Sequence, residues 1–287
     1  SRVGGDVNTN TRVGAILQNN VGIGNTNEAA VGSAVNSRVG GNLNTNTRVG
    51  AILQNNVGIG NTNEANVGSV VDSRVGGNVD TNTRVGAVLQ NNVGIGNTNE
   101  TNIGSVSGSR VGGNVDTNTR VGAVLQNNVG IGNTNETNIG SVTASRVGGH
   151  VPTNTRVGAV LQNNVGIGNT NEANIGSVVD SRVGGNVDTN TRVGAVLQNN
   201  VGIGNTNESN IGSVTGARVG GHVTTNTRVG AVLQNNVGIG NTNEANIGSV
   251  VGSSVGGNVN TNTRVGAVLQ NNVGIGNTNE ASIGSID

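Results

Sequence analysis

Strict repetition is what most restricts the folds open to this chain. Counted from Ser1, blocks of 36 residues align eight times without a gap, and only the last is short, by one residue. Arg12-Val13-Gly14-Ala15 thus recurs as Arg48-Val49-Gly50-Ala51 and, in the last copy, as Arg264-Val265-Gly266-Ala267. Within a block the pairs Val3-Gly4, Val13-Gly14, Val21-Gly22 and Val31-Gly32 lie ten, eight and ten residues apart, which divides it into half-repeats of 18. Two kinds of half-repeat alternate, one like Ser1 to Gln18 and one like Asn19 to Asn36.

A short fixed period is the mark of a solenoid, in which each unit buries its apolar side chains only by stacking on the next. Eighteen residues hold no pair of helices, and Gly, Val, Asn and Thr favour strands and bends over helix. The expected fold is all-β: a two-sheet parallel β-solenoid of sixteen stacked coils of 18 residues, built from the eight 36-residue tandem repeats. It forms a single repeat domain over 1–287 with no caps. At about 4.8 Å per coil the rod is roughly 75 Å long. Val13 and Ala15 alternate with Arg12 and Gly14 as in a half-buried strand, and the Asn-Thr-Asn-Thr and Asn-Thr-Asn-Glu segments read as bends. The row Ile16, Ile52, Val70 and Val88 breaks the alternation. Either the strand bulges near Ala15 and turns the row inward, or the row is an outer apolar face.

Stacked coils bring identical side chains together, so Asn19 with Asn55 and Asn25 with Asn61 form candidate Asn ladders. Like charges stacked about 4.8 Å apart repel by about 0.9 kcal/mol even in water. On an 18-residue coil the alternation relieves this, because Arg12, Glu28, Arg48, Glu64 and Arg84 then form a charge ladder of alternating sign that sets the register. The strand edges at Arg2 and Val3 and at Ile283 and Ile286 are candidate polymerisation edges. Gly4, Gly14, Gly22 and Gly32 are expected to let neighbouring rods pack closely side by side.

Composition excludes much else. The chain has 15 basic residues, all arginine, against 15 acidic ones, and no Phe, Tyr, Trp, Cys or Met. Zero net charge and the absence of aromatic stacking platforms argue against nucleic-acid binding, and no apolar run approaches a membrane span. The two histidines, His150 and His222, replace Asn in repeated positions. Repetition leaves no unique place for a catalytic triad, so no enzyme activity is expected. The Gly4-Gly5-Asp6 motif and seven Asp fall short of calcium β-roll cages, and no cofactor or metal is expected. The Thr9-Asn10-Thr11 and Thr45-Asn46-Thr47 rows resemble the Thr-x-Thr rows of ice-binding solenoids, which makes a monomeric ice-binding or adhesive spacer the main rival reading.

The stretch Gln18-Asn19-Asn20-Val21-Gly22-Ile23-Gly24-Asn25-Thr26-Asn27-Glu28-Ala29, which recurs once per block, resembles the Gln, Gly, Asn and Ala pattern of curlin repeats. Curlin repeats build amyloid-like extracellular fibres. The resemblance implies a secreted fibre subunit of a biofilm matrix or cell envelope whose partners are copies of itself, with no nucleic acid and no membrane insertion. An export signal removed from the front of the chain fits that expectation.

Overall fold

A computed structural model describes residues 2–286. The first coil contains β1 (Arg2–Val3), β2 (Val7–Ile23), β3 (Thr26–Val31) and β4 (Ala34–Val35); the same four strands return in the next six coils, shifted by 36 residues, and the first three of them in the last. Every pairing is parallel and joins residue i to residue i+36, as in Val7 with Leu43 and Gln18 with Gln54. The strands form three eight-stranded sheets and one seven-stranded sheet, to which the last coil adds an isolated bridge from Ile286 to Val250. The molecule is an all-β parallel solenoid.

One complete coil takes 36 residues, so the rod has eight coils and four sheets where the half-repeat suggests sixteen coils and two. At about 4.8 Å per coil it is roughly 38 Å long. The physical reason lies in the side-chain ladders. At a spacing of 36, Gln meets Gln, Asn meets Asn and Ser meets Ser. At a spacing of 18, Gln18 would meet Asn36 and Asn20 would meet Arg38. Between the third and fourth coils alone, Gln126 Nε2 donates to Gln90 Oε1, Asn127 Nδ2 to Asn91 Oδ1, Asn138 Nδ2 to Asn102 Oδ1, and the Ser73 N–H to Ser109 Oγ. Each such bond contributes on the order of 1 kcal/mol. Further bonds join the same two coils, such as Asn92 Nδ2 to Asn128 Oδ1, and four stacked like-charged pairs, two of Arg, one of Glu and one of Asp, oppose them with about 0.9 kcal/mol each at high dielectric. The ladders win, and the charges stack in register.

The interior of a coil is layered. Near one end, the rows of Ala34, Val39 and Leu43 form one apolar cluster; further along, the rows of Ile16, Val49, Ala65 and Val67 form a second. The 18-spaced Ile/Val row therefore splits: Ile16, Ile52 and Val88 lie in one cluster and Val70 in the other, all buried. Ile16, Ile52 and Val88 turn inward because β2 shifts its parity at Gly14 and Ala15, whereas Val70 lies on the short fourth strand of its coil, Val70–Val71. Before that point Thr45, Thr47 and Val49 point in; after it Ile52, Gln54 and Asn56 do, while Gly50 and Ala51 both face outward. The Asn-Thr-Asn-Thr segment, expected as a bend, belongs to this long strand, with β-branched Thr inside and Asn outside. Asn-Thr-Asn-Glu likewise starts β3.

The bends lie elsewhere. One falls at residue 36 of the block, where φ is +49° for Asn36, +47° for Asp72, +48° for Ala144 and +48° for Asp180. Gly108, Gly216 and Gly252 occupy the same place. Asn, Asp and Gly tolerate the left-handed region, and Ala144 is held there by the bend without that preference.

The glycine rows serve coil-to-coil contact. A methyl group on Gly50 would strike the Gly14 carbonyl oxygen of the preceding coil, and one on Gly68 the Thr83 hydroxyl. The Gly14 row thus sits where backbones of one molecule approach while its outer side stays exposed, and the Gly32 row is buried on Thr within the molecule, which corrects the expectation of side-by-side packing for the Gly32 row. Gly122→Ala, facing the Gly86 carbonyl, is expected to cost about 1–3 kcal/mol in chemical denaturation. Gly14→Ala, in the same place of the first coil with nothing within 4 Å, is expected to be close to neutral. Equal costs at the two positions would show that coil contact is not what selects glycine.

Candidate functional site

The candidate functional elements are rows of identical side chains running along the rod, and the longest are amide rows. Gln18 to Gln270 form an interior chain in which each Nε2 donates to the Oε1 of the coil before, at 2.9 Å for Gln54 to Gln18 and 3.0 Å for Gln90 to Gln54. The same Nε2 groups also reach across the coil, Gln54 to the Glu100 carbonyl at 3.0 Å. On the outside Asn55 Nδ2 donates to Asn19 Oδ1 at 2.8 Å, and this row continues to Asn271. Asn25 and Asn61 are joined differently, the backbone N–H of Asn25 donating to Asn61 Oδ1 at 3.0 Å while Asn61 Nδ2 donates to the Gly22 carbonyl.

Charges run in separate rows. Arg12 pairs in register with Arg48 and Arg48 with Arg84, while Glu28 pairs with Glu64, on a different strand. The expected Arg12, Glu28, Arg48, Glu64, Arg84 alternation is therefore replaced by two rows of one sign each, a direct consequence of the 36-residue coil. Among the described residues no arginine lies within ion-pair distance of a carboxylate. The Arg12 row borders a groove of about 1260 Å³ floored by the Val13 and Gly14 rows. A second Arg row, Arg74 to Arg218, borders another groove beside Asp72 and Asp180.

In the inner coils the Glu row is half-buried and held by Asn, with Asn66 Nδ2 donating to Glu64 Oε1 at 2.6 Å and Asn174 Nδ2 to Glu172 Oε1 at 2.7 Å. Burial pushes the Glu100, Glu172 and Glu208 carboxyls up, and that of Glu172 reaches about 7. For Glu172 the neighbouring Glu136 carboxylate acts in the same direction, while the bond from Asn174 opposes it.

Beyond the parity shift, the outer side of β2 carries Ala15, Leu17, Asn19, Val21 and Ile23 in every coil. No charged residue lies among them. In inner coils Leu53 is 37% exposed and Ile59 49%. Sequence reading gave only the Leu17 slot a surface character, from its tolerance of Val, Ser and Thr, and missed the rest of this face because unbroken alternation places Ala15 inside. The signal that reveals it is the run of consecutive outward positions at Gly14 and Ala15.

Comparison with known proteins finds no matching family model, no matching curated protein and no matching solved structure. The reading of function therefore rests on these surfaces.

The Thr-x-Thr rows are not one of them. Thr45 and Thr47 are buried, and Thr45 Oγ1 donates to the Gly68 carbonyl at 2.9 Å, so the rows that suggested an ice-binding face are turned inward. His150 and His222 lie at the rim of a bend, where His150 Nδ1 accepts the Asn186 N–H at 2.9 Å as Asn78 Oδ1 accepts the Asn114 N–H in an ordinary coil. Among the described residues no three His, Asp or Glu are grouped to hold a metal ion, and no helix is long and apolar enough to cross a membrane. Arg2 and Val3 pair on one side only, with Arg38 and Val39; Ile283 pairs with Ile247 and Ile286 with Val250.

Proposed function

We propose that this chain is a self-assembling structural protein of the cell exterior, without catalytic activity, whose coils stack into amyloid-like fibres or a sheath. One observation carries the reading: each coil sits on the next in the same parallel register, so the upper edge of a coil is complementary to its own lower edge. A surface of that kind is a template for further copies. The amide ladders add side-chain bonds at every step, and they are the arrangement by which cross-β fibres gain their stability. An exterior location is supported by the resemblance of the Gln18 to Ala29 stretch to curlin repeats. The partners are copies of the chain, and no cofactor enters the reading.

Negative-stain microscopy and fibre diffraction of the purified chain at neutral pH, without added calcium, test this. Unbranched filaments with an axial reflection near 4.8 Å are expected. Discrete rods of roughly 38 Å that never elongate at any concentration would overturn it in favour of a monomeric spacer.

A further inference from the structure

We infer that the outer face of β2 from Ala15 to Ile23 is a docking surface for the same face of a second copy of this chain. The inference refines the fibre reading and rests on it for the setting, since it names the surface through which stacked rods associate sideways.

Three observations select the face and its occupant. The first is size and chemistry. Nine residues at about 3.4 Å and eight strands at about 4.8 Å make a sheet surface of roughly 30 by 38 Å, or on the order of 1,100 Å². That exceeds both the few hundred Å² of apolar patch usual on a monomer and the roughly 800 Å² per partner of a stable interface. Its side chains are Ala, Leu, Asn, Val and Ile in every coil, with no charge to desolvate.

The second is the state of its one polar row. Each Asn of the Asn19 row donates to the Asn of the coil before it, at 2.8 Å from Asn91 to Asn55 and 2.7 Å from Asn163 to Asn127. An amide row bonded along the axis loses little when water is removed from its outer side. The same molecule already buries the equivalent Gln row, with Gln54 to Gln234 only 1% exposed.

The third is the repeat. Ridges of Leu, Val and Ile recur once per coil, and the troughs between them have the same spacing. Only a partner with that spacing interdigitates along the whole length, and a second copy has it by construction. Two such faces apposed at about 10 Å form a dry, two-sheet interface.

The test is sedimentation velocity of the 287-residue chain over a range of concentrations, with microscopy of the same samples. Leu89→Lys with Leu197→Lys places a charge on two inner coils of the face, at side chains 38% and 36% exposed. Asn82→Lys with Asn190→Lys places equal charge on exposed residues of the other outer side of β2. The Leu pair is expected to weaken pairing at least roughly tenfold and to leave filaments, where they form, at half the width, while the Asn pair changes neither. Because the chain has no cysteine, a single Leu125→Cys is expected to cross-link two copies on oxidation, and a single Asn118→Cys not to. The cysteine variants decide the question even if the lysine pair fails to fold. A chain that stays at 28.4 kDa at every concentration, equal loss in both lysine pairs, or cross-linking equally at residues 118 and 125 would overturn the inference. Side-by-side pairs without elongation would support this face while removing the fibre reading. Unpaired filaments from the unaltered chain would do the reverse.

Discussion

A chain lacking Ser109 to Ala144 is expected to fold as the parent does, with a slightly lower melting temperature, whereas one lacking only Ser109 to Gln126 is expected to be clearly damaged. The first deletion removes one whole coil and joins Gly108 to Ser145, the same junction of residue 36 to residue 1 that every coil has. The third coil then meets the former fifth in the register it had with the fourth. The second deletion leaves half a coil, Asn127 to Ala144, which cannot span the 36-residue circuit. It must be expelled as a loop so that the ladders can close behind it. Closing an 18-residue loop costs about 2–3 kcal/mol, and the loop is open to proteases. Limited proteolysis and thermal melting distinguish the two variants. Equal resistance in both would mean that 18 residues, and not 36, make the repeating coil.

The second large effect concerns pH. Glu residues stand one above another on β3, half-buried and without a cation, and the Glu172 carboxyl is pushed up to about 7, first by burial and next by the Glu136 carboxylate. Asp180, in the adjacent left-handed bend, acts in the same direction. The folded chain thus holds protons that the unfolded chain has already released. The resulting stability is complete below the ordinary glutamate range near 4.5 and is lost as pH rises through about 7. For Glu172 alone this amounts to on the order of 3 kcal/mol between the two limits. The solenoid should melt at a higher temperature at pH 5 than at pH 8. Glu172→Gln keeps an oxygen for the Asn174 amide and should remove much of the deficit at pH 8 while changing little at pH 4. A melting temperature that rises from pH 5 to pH 8 would show that the row is stabilised by its charge.

The solenoid class was legible from the repeat alone, and the strand content from the dearth of helix formers. The length of the coil was not, because Val-Gly pairs fall near several corners and so imitate a repeat of half its size. What separates the two periods is the identity of ladder partners: Gln18 meets Gln54 at one and Asn36 at the other. Weighing buried amide ladders above surface charge repulsion would have chosen the longer period. The sequence left the side of the Ile16 row open between a bulge near Ala15 and an outer face, and the structure turns Ile16 inward through the parity shift at Gly14 and Ala15. That shift also turns Leu17, Val21 and Ile23 outward, where simple alternation would place them inside with Val13. The buried Thr rows were misplaced for a related reason. Asn and Thr are common in bends, yet alternating Asn-Thr also satisfies a strand that is wet on one side and packed on Gly on the other.

The long second strand of each coil has a mechanical consequence. Its hydrogen bonds run parallel to the rod, from Val7–Ile23 to Leu43–Ile59 and onward. Tension applied evenly along the rod loads every bond of a coil interface at once, so the interface yields only when the whole row gives way. Tension on a single point of the chain meets the same bonds one after another and peels them. A rod of this construction resists stretching far better than unravelling, and its strength in service depends on how force enters it.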